Sequence, residues 1–447
     1  MLSRLEYFIL KYLLLLMQNK QPLELSDEFR YILDEIEKTK NNIFVTGKAG
    51  TGKSTLLQLF KNTTKKKTIV VAPTGIAALN VGGQTIHSFF GFGPRLMQKH
   101  EIKKRWQKKL YENIEVLIID EVSMVRADIM DNMDYFLRLN RDSTKPFGGV
   151  QVVLFGDLFQ LPPVVSSPEE QLYFQTTYKG AYFFYAHLFD KQDFTLDLIE
   201  LRKIYRQEER HFIRLLDTVR TNRMDYEDLD DLNERFQPDF ETEEGYITLT
   251  TRNVIADQIN ERELSKIEEP TFMFTAKIEG NFDPKNFPTD SLLQLKKDAQ
   301  VMFIKNDAER RYVNGTIGKI VFLNDEKIEV ELTEKDESKK IVEVTMASWE
   351  MLRYKISEKD PNQLEAEVVG SFKQYPLKMA WAITIHKSQG KTFDKVIIDL
   401  GRGSFEHGQT YVALSRCRSL GGIVLKQKIR PQDVMTDERI VEYYEKF

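Results

Sequence analysis

The sequence predicts an α/β protein with two parallel sheets, each covered by helices on both faces, and a small antiparallel β-barrel inserted in the second. Three observations predict it. Short, nearly all-apolar runs alternate with helix-like stretches through the first half of the chain. The same alternation resumes in a second α/β region from about Phe194. Between about 290 and 373 the pattern becomes an apolar–polar alternation at period two, the mark of half-buried antiparallel strands.

The strand candidates of the first sheet are NIFVTG (42–47), KTIVVAPTG (67–75), EVLIIDE (115–121) and VQVVLFGD (150–157), each followed by a polar or Gly-rich break. Runs so uniformly apolar are buried on both faces, which calls for parallel pairing beneath helices. The second sheet takes YITLTT (246–251), WAITIH (381–386), KVIIDL (395–400) and GIVLKQ (422–427). In the period-two region, turn residues Asn324-Asp325 and Lys335-Asp336 separate runs such as KIEVELTEKD and KIVEVTM. There is no internal repeat and no low-complexity tract.

Hydrophobic residues make up 41% of the 447-residue chain and charged residues 30%, enough to bury cores in about three domains. The net charge of −4 argues against a passive nucleic-acid coat. It leaves room for a motor, which must release its track and needs only a local basic groove. The single cysteine, Cys417, excludes an internal disulfide and a four-cysteine zinc site, and fits a reducing, intracellular setting. It lacks a recognisable base partner and is read as packing. The apolar run YFILKYLLLLM (7–17) is broken by Lys11 and falls short of the roughly 20 residues a membrane span needs. It is read as an N-terminal helix packed on the body; a mis-assigned start and a membrane contact stay open.

In a parallel sheet the ligand sits beyond the carboxyl ends of the strands. Lys53, Thr74, Asp120, Glu121, Asp157 and Gln160 all fall there. Residues 47–54, GKAGTGKS, fit G-x-x-x-x-G-K-[ST] between a strand and the helix-like LLQLF. Gly47, Gly50 and Gly52 let backbone N–H groups curl around phosphate, and the following helix N-terminus adds positive potential. With Thr51 and Thr55 they form the expected cradle for ATP. Lys53 reaches the β- and γ-phosphates, and Ser54 ligates Mg²⁺. Asp120 is placed to hold Mg²⁺ through water, and Glu121 to polarise the attacking water. Gln160, in GDLFQLPP, either senses the γ-phosphate or is a structural amide before a Pro-Pro turn. Arg206 in LRKIYRQ and Arg416 in YVALSRCRS become charge clamps for the transferring phosphoryl if the two sheets face each other across the nucleotide.

The motifs GKAGTGKST, APTGIAALN, GGQTIHSFF, IIDEVSM, GDLFQLPPV, LRKIYRQ, ITIHKSQGKT and YVALSRCRS occur in that order. The series resembles the RecD-like branch of the superfamily 1 helicases, and within it the petite-integration-frequency (PIF) family of DNA helicases. DEVSMVRADIMDNMDYFLRLNR (120–141) is similar to the stretch that sets this family apart, and VNGT (313–316) to the loop before its small barrel. The likeness runs from about residue 24 onward. It implies two RecA-like parallel-sheet domains with ATP between them, a small wedge insertion in the first and a small β-barrel inserted in the second. The divisions expected are an extension at 1–23, a first domain at 24–193 with its wedge at about 92–112, a second domain at 194–289 and 374–447, and the barrel at 290–373.

The resemblance further implies ATP-dependent, 5′-to-3′ movement on single-stranded DNA with unwinding of forked or tailed duplexes, in repair, recombination or replication. Monomeric action is expected, with no membrane span, in the cytoplasm or wherever DNA is held, nucleoid or nucleus, and not outside the cell. By motif, Lys53, Ser54, Asp120, Glu121, Gln160, Arg206, Gly390 and Arg416 belong to the ATP site, and Thr74, His87, Thr384 and His386 to the DNA groove. One position departs: Arg30 stands where a glutamine that reads adenine is expected.

On the residues themselves, Thr74, Gly75, Gly82 and Gly83 offer donors for a nucleic-acid backbone, and His87 with Phe89, Phe90 and Phe92 offers either stacking surfaces or core. KHEIKKRWQKK (99–109) is basic in an acidic chain. It is either a fork-holding wedge with Trp106 or an amphipathic surface helix. A nucleic-acid-dependent ATPase that displaces proteins, or acts on RNA, without productive DNA unwinding shares every ATP motif and stays open as the alternative.

Overall fold

The computed structural model describes residues 26–93, 95–106, 108–333, 337–358, 360 and 363–447. The apolar run 7–17, the expected extension 1–23 and the turn at Lys335-Asp336 lie outside the described residues. The chain divides into two compact units. The first takes the chain up to Asp157, Pro163–Lys203 and Leu352–Glu367. The second takes Leu158–Pro162, Ile204–Met351 and Val368–Phe447.

The first unit is built on a six-stranded sheet of β1 (Ile43–Gly47), β2 (Thr68–Ala72), β3 (Gln84–Thr85), β4 (Val116–Ile119), β5 (Gln151–Phe155) and β6 (Asp197–Leu201), in the order β3-β2-β4-β5-β1-β6. Every pairing is parallel, with Ile43 opposite Val153 and Ile69 opposite Leu117. All residues of β1, β4 and β5 are buried, as their apolar runs require. Helix α1 (Asp27–Lys38) begins at Ser26, whose side chain accepts the Phe29 N–H, and carries Asp27 and Glu28 in its first turn, where acidic charge suits the helix dipole. Its Phe29, Ile32, Leu33 and Ile36 recur at helical spacing and pack on Ile43, Val45 and Val153 of the sheet. Truncating one such buried side chain to alanine costs about 2–5 kcal/mol. Arg30 lies exposed on this helix.

Two expectations change here. The sequence places the start of the second domain at 194. In fact β6 pairs in parallel with β1 over Asp197–Leu201, and the first unit continues to Lys203. As an edge strand with only Leu201 buried, β6 lacks the apolar run that announces its neighbours. The basic segment is not one helix. A short turn at Lys99–Glu101 leads through extended residues to a helix over Lys108–Glu112. Lys104 and Lys108 both pair with Asp142, and Trp106 is fully exposed.

The phenylalanines after His87 are core. Phe89, Phe90 and Phe92 are buried in a cluster of ring contacts with Tyr111 and Phe136. Tyr354, from the Leu352–Glu367 segment, joins them edge-on to Phe89. Its hydroxyl takes the Val70 N–H of β2 at 3.2 Å, and its own N–H reaches Gln84 Oε1.

Helix α2 (Ala127–Asn140), in the stretch that carried the family resemblance, is buried along most of its length together with its acids. Asp131 accepts the N–H groups of His187 and Leu188, and Asp134 accepts that of Phe147. Asp128 is paired with Arg126. Each buried carboxylate therefore has partners, as burial demands.

The second unit holds a four-stranded parallel sheet of β7 (Ile247–Thr250), β18 (Ala382–Thr384), β19 (Val396–Asp399) and β20 (Ile423–Leu425), in the order β18-β7-β19-β20. Between β7 and β18 lie antiparallel strands. β8 (Thr271–Thr275) pairs with β10 (Leu292–Lys296), and β9 (Lys277–Gly280) with β16 (Leu364–Gln374) alongside β15 (Ala347–Ile356). β11 (Gln300–Phe303), β12 (Ile317–Leu323), β13 (Ile328–Thr333), β14 (Lys339–Val344) and β17 (Leu377–Met379) form a five-stranded sheet. One core containing Phe274, Leu295, Val301, Phe303, Ile320 and Val330 joins β8 and β10 to that sheet. The antiparallel insertion thus runs from 271 to 379, wider than the 290–373 read from the alternation. Among the described residues no helix is long and apolar enough to cross a membrane.

Candidate active site

In the first unit, β1 ends in the glycine loop and a helix, α3 (Lys53–Thr63), starts at Lys53. Gly47, Gly50 and Gly52 have φ of 148°, 83° and 87°. At Gly47 a Cβ would lie 2.7 Å from the Leu201 carbonyl oxygen and 2.9 Å from Thr51 Oγ1, so the loop tolerates no side chain there. The edge strand β6 is therefore the wall against which the loop folds. Thr51 is buried and donates to the Lys48 carbonyl. The Lys53 ammonium donates to the Gly47 and Lys48 carbonyls at 2.6 and 3.1 Å, folded over the loop it serves. Ser54 and Thr55, in the first helical turn, are exposed.

Asp120 follows β4, beyond the same end of the sheet. It is almost fully buried, and burial, reinforced by the charge of Glu121, raises its pKa to about 7, against the opposing pull of Lys53. Glu121 sits in the left-handed region at φ 50° and ψ 46°, a strained conformation for a non-glycine residue. Gly156, after β5, lets that turn approach: a Cβ there would meet Val122 Cγ1 at 2.9 Å. The Ser54 hydroxyl, the Asp120 carboxylate and the glycine cradle suit a magnesium-bound triphosphate. When bound, Mg²⁺ neutralises phosphate charge, which also favours ionised Asp120.

Thr74 and His87 lie beyond the ends of the adjacent strands β2 and β3. Thr74 caps a short helix that opens with Gly75, its hydroxyl accepting the Ala77 N–H. His87 is partly buried, and burial together with Arg126 lowers its pKa, which favours the neutral ring.

In the second unit, Arg206 and Arg416 come together on Ser415. Arg206 donates to its carbonyl at 2.9 Å, and Arg416 Nη2 to its hydroxyl at 2.8 Å. Arg416 is 1% exposed and also donates to the Val412 carbonyl. Burial, then the nearby Arg416 charge, lowers the Arg206 pKa. Two adjacent guanidinium groups, one buried and one partly so, favour an anion beside them. Gln207 was not singled out from the sequence; its buried amide donates to the Ser415 and Cys417 carbonyls and holds the turn that carries Arg416. Lys391 was also missed. It is held by Asn314, and burial pushes its pKa down to about 8.

Gln160 belongs to this unit, where its side-chain oxygen faces the Gln389 amide at 3.4 Å. Gly390 takes φ 75°. Thr384 caps the helix over Ile385–Ser388 as Thr74 does its own, and His386 pairs with Glu406 at 3.0 Å. Nothing in the local sequence announces Glu406.

A glycine loop, a lysine folded over it and an acidic turn at the carboxyl ends of one parallel sheet define a phosphate-loop nucleoside triphosphatase with RecA-like sheets. The profile of the PIF1-like helicases matches residues 24–229. The ATP-dependent DNA helicase Pif1 of Bdellovibrio bacteriovorus is 32% identical over 437 residues, covering 95% of this chain and 92% of that one. The human ATP-dependent DNA helicase PIF1 is 34% identical, covering 94% of this chain and 63% of its own. Pif1 from Bacteroides sp in complex with ADP-AlF4 superimposes with a TM-score of 0.87 at 38% identity, covering 95% and 97% of the two chains. The Bacteroides complex with ADP-AlF3 and single-stranded DNA gives 0.66 at 37% identity, with the same coverage. The chain belongs to the PIF1-like helicase family and is an ATP-dependent DNA helicase that uses ATP and Mg²⁺.

Proposed function

We propose that this helicase moves 5′ to 3′ along single-stranded DNA and opens forked or tailed duplexes, acting as a monomer in repair, recombination or replication wherever its host holds DNA. The observation that carries the chemistry is the Lys53 loop and the Asp120–Glu121 turn gathered at one end of the first sheet. In this reading Gly47, Gly50, Thr51, Gly52 and Thr55 hold the phosphates, and Lys53 leaves the loop carbonyls for the β- and γ-phosphate oxygens. Ser54 and Asp120 hold Mg²⁺. Glu121 accepts hydrogen bonding from the attacking water, and the fixed left-handed turn keeps its carboxylate from swinging away. Gln160 orients water or the γ-phosphate. Arg206 and Arg416 offset the charge that grows on the transferring phosphoryl group, and Gly390 shapes the adjoining turn. Thr74, Gly75, His87, Thr384 and His386 contact the DNA strand. Trp106 and the basic residues around it meet the fork.

The test is strand displacement on duplexes with 5′ or 3′ single-stranded tails, with and without ATP. Displacement confined to 5′-tailed substrates and dependent on ATP is expected. Activity on 3′ tails alone overturns the polarity, and DNA-stimulated ATP turnover without displacement overturns unwinding.

A further inference from the structure

The segment Leu158–Pro162 leaves the first sheet yet is built into the second unit. Phe159 is 6% exposed. Its ring stacks on Tyr444 of the C-terminal helix Glu438–Tyr444, with centroids 5.3 Å apart and planes inclined by 20°. The Arg220 guanidinium covers the ring at 4.1 Å from its centroid. Arg220 is itself buried, and its carbonyl accepts the Thr436 hydroxyl at 2.9 Å. Gly408, at φ 71°, allows the backbone to pass: a Cβ there would collide with the Phe159 carbonyl oxygen and lie 2.5 Å from that of Gln160.

From this geometry we infer that Phe159 is a positioning residue. Clamped between Arg220 and Tyr444, it fixes the backbone of Gln160, so that the amide proposed to act on the nucleotide is held in one place. A phenylalanine has a flat, polarizable face for a cation on one side and an aromatic ring on the other; an aliphatic side chain of similar size gives neither. Leu158 and Leu161 are buried on either side of the Phe159–Gln160 pair, which anchors the strip at both ends. The inference rests on the proposed role of Gln160 at the γ-phosphate.

The experiment is a double-mutant cycle in the full chain, combining Phe159→Leu with Gln160→Ala. Turnover, KM for ATP, affinity for a fluorescent ATP analogue and melting temperature are read with single-stranded DNA saturating. Phe159→Leu is expected to lower kcat by about tenfold to a hundredfold with nucleotide affinity near that of the parent, since misplacement of about 1 Å costs rate on this scale. The double variant is expected to be no slower than Gln160→Ala, because residues acting as one unit are not additive. Phe159→Tyr, which keeps the ring, is expected to restore turnover. If Gln160→Ala turns over at the parent rate, the role of Gln160 falls and the inference with it. If Gln160→Ala is slow while Phe159→Leu is not, or if the two losses multiply, the role of Gln160 survives and the positioning by Phe159 is overturned. Should Phe159→Leu melt well below the parent, Tyr444→Leu removes the stacking partner from the other side, and the same comparison decides.

Discussion

The carbonyl oxygen of Leu201 lies 2.7 Å from where a Cβ on Gly47 would stand. The edge strand and the phosphate loop are thus fitted to each other without room for one methyl group. Gly47 also has φ of 148°, which L side chains seldom adopt. Gly47→Ala is expected to weaken binding of a non-hydrolysable ATP analogue by about tenfold or more and to destabilise the fold by about 1–3 kcal/mol. Calorimetric titration and melting check both. Parent-like affinity would mean that the loop does not need this wall.

Glu121 combines a proposed chemical role with a strained turn. Glu121→Gln keeps the backbone demand and is expected to bind ATP while losing about 10²–10⁴ in kcat. Glu121→Gly is expected to lose the same turnover but to stabilise the fold by about 1 kcal/mol, since glycine accepts the left-handed conformation freely. Single-turnover hydrolysis and denaturant melts separate the two effects. A Glu121→Gln enzyme with parent turnover would remove the residue from the chemistry.

Asp120 gives a dependence on pH. Its folded pKa, about 7, is raised from 3.8. A raised value means that its contribution to folding is whole below about 4 and is lost as pH climbs through 7. Without nucleotide and magnesium, Asp120→Asn is therefore expected to gain on the parent as pH rises from about 4 to about 7, and to keep that gain above it. Added ATP and Mg²⁺ are expected to reverse the order, because only the carboxylate favours the cation. A stability difference flat across that range would contradict the raised value.

Tyr354 covers a backbone N–H that the sheet leaves open. β3 pairs with β2 only at Val71 and Ala72, and the Val70 N–H goes to the Tyr354 hydroxyl instead. Tyr354→Phe is expected to cost about 1–2 kcal/mol by leaving that group without its partner. Hydrogen exchange at Val70 is expected to quicken with it, and unchanged protection there would argue against the contact.

The strands with both faces buried were legible because burial on two sides leaves uninterrupted apolar runs, as in VLII at β4. The edge strand β6, DLIEL, was not, since a half-exposed edge mixes Asp197 and Glu200 with its apolar residues. The antiparallel insertion was placed too late because β8 and β9 are largely exposed and keep no clean alternation. The glycine loop and the Asp120–Glu121 turn could be placed at the strand ends from the sequence because each is a local pattern. The pairing of His386 with Glu406, the grip of Gln207 on the Arg416 turn and the quenching of Lys104 and Lys108 by Asp142 could not. Each depends on partners that only folding brings together. Phe89 and Phe90 stayed open between stacking surface and core, because an aromatic run beside a glycine turn suits both, and the fold decides for core.

The late position of Tyr354 in the chain bears on how the protein comes into being. The ribosome releases Val70, Gln84 and Phe89 long before Tyr354, at a rate of about 5–20 residues per second. The nucleotide-binding unit must therefore wait, with that edge of its sheet unfinished, for many seconds of synthesis. A fragment stopping at Lys203 would carry the whole glycine loop and the Asp120–Glu121 turn and still lack the hydroxyl that takes the Val70 N–H and the ring against Phe89.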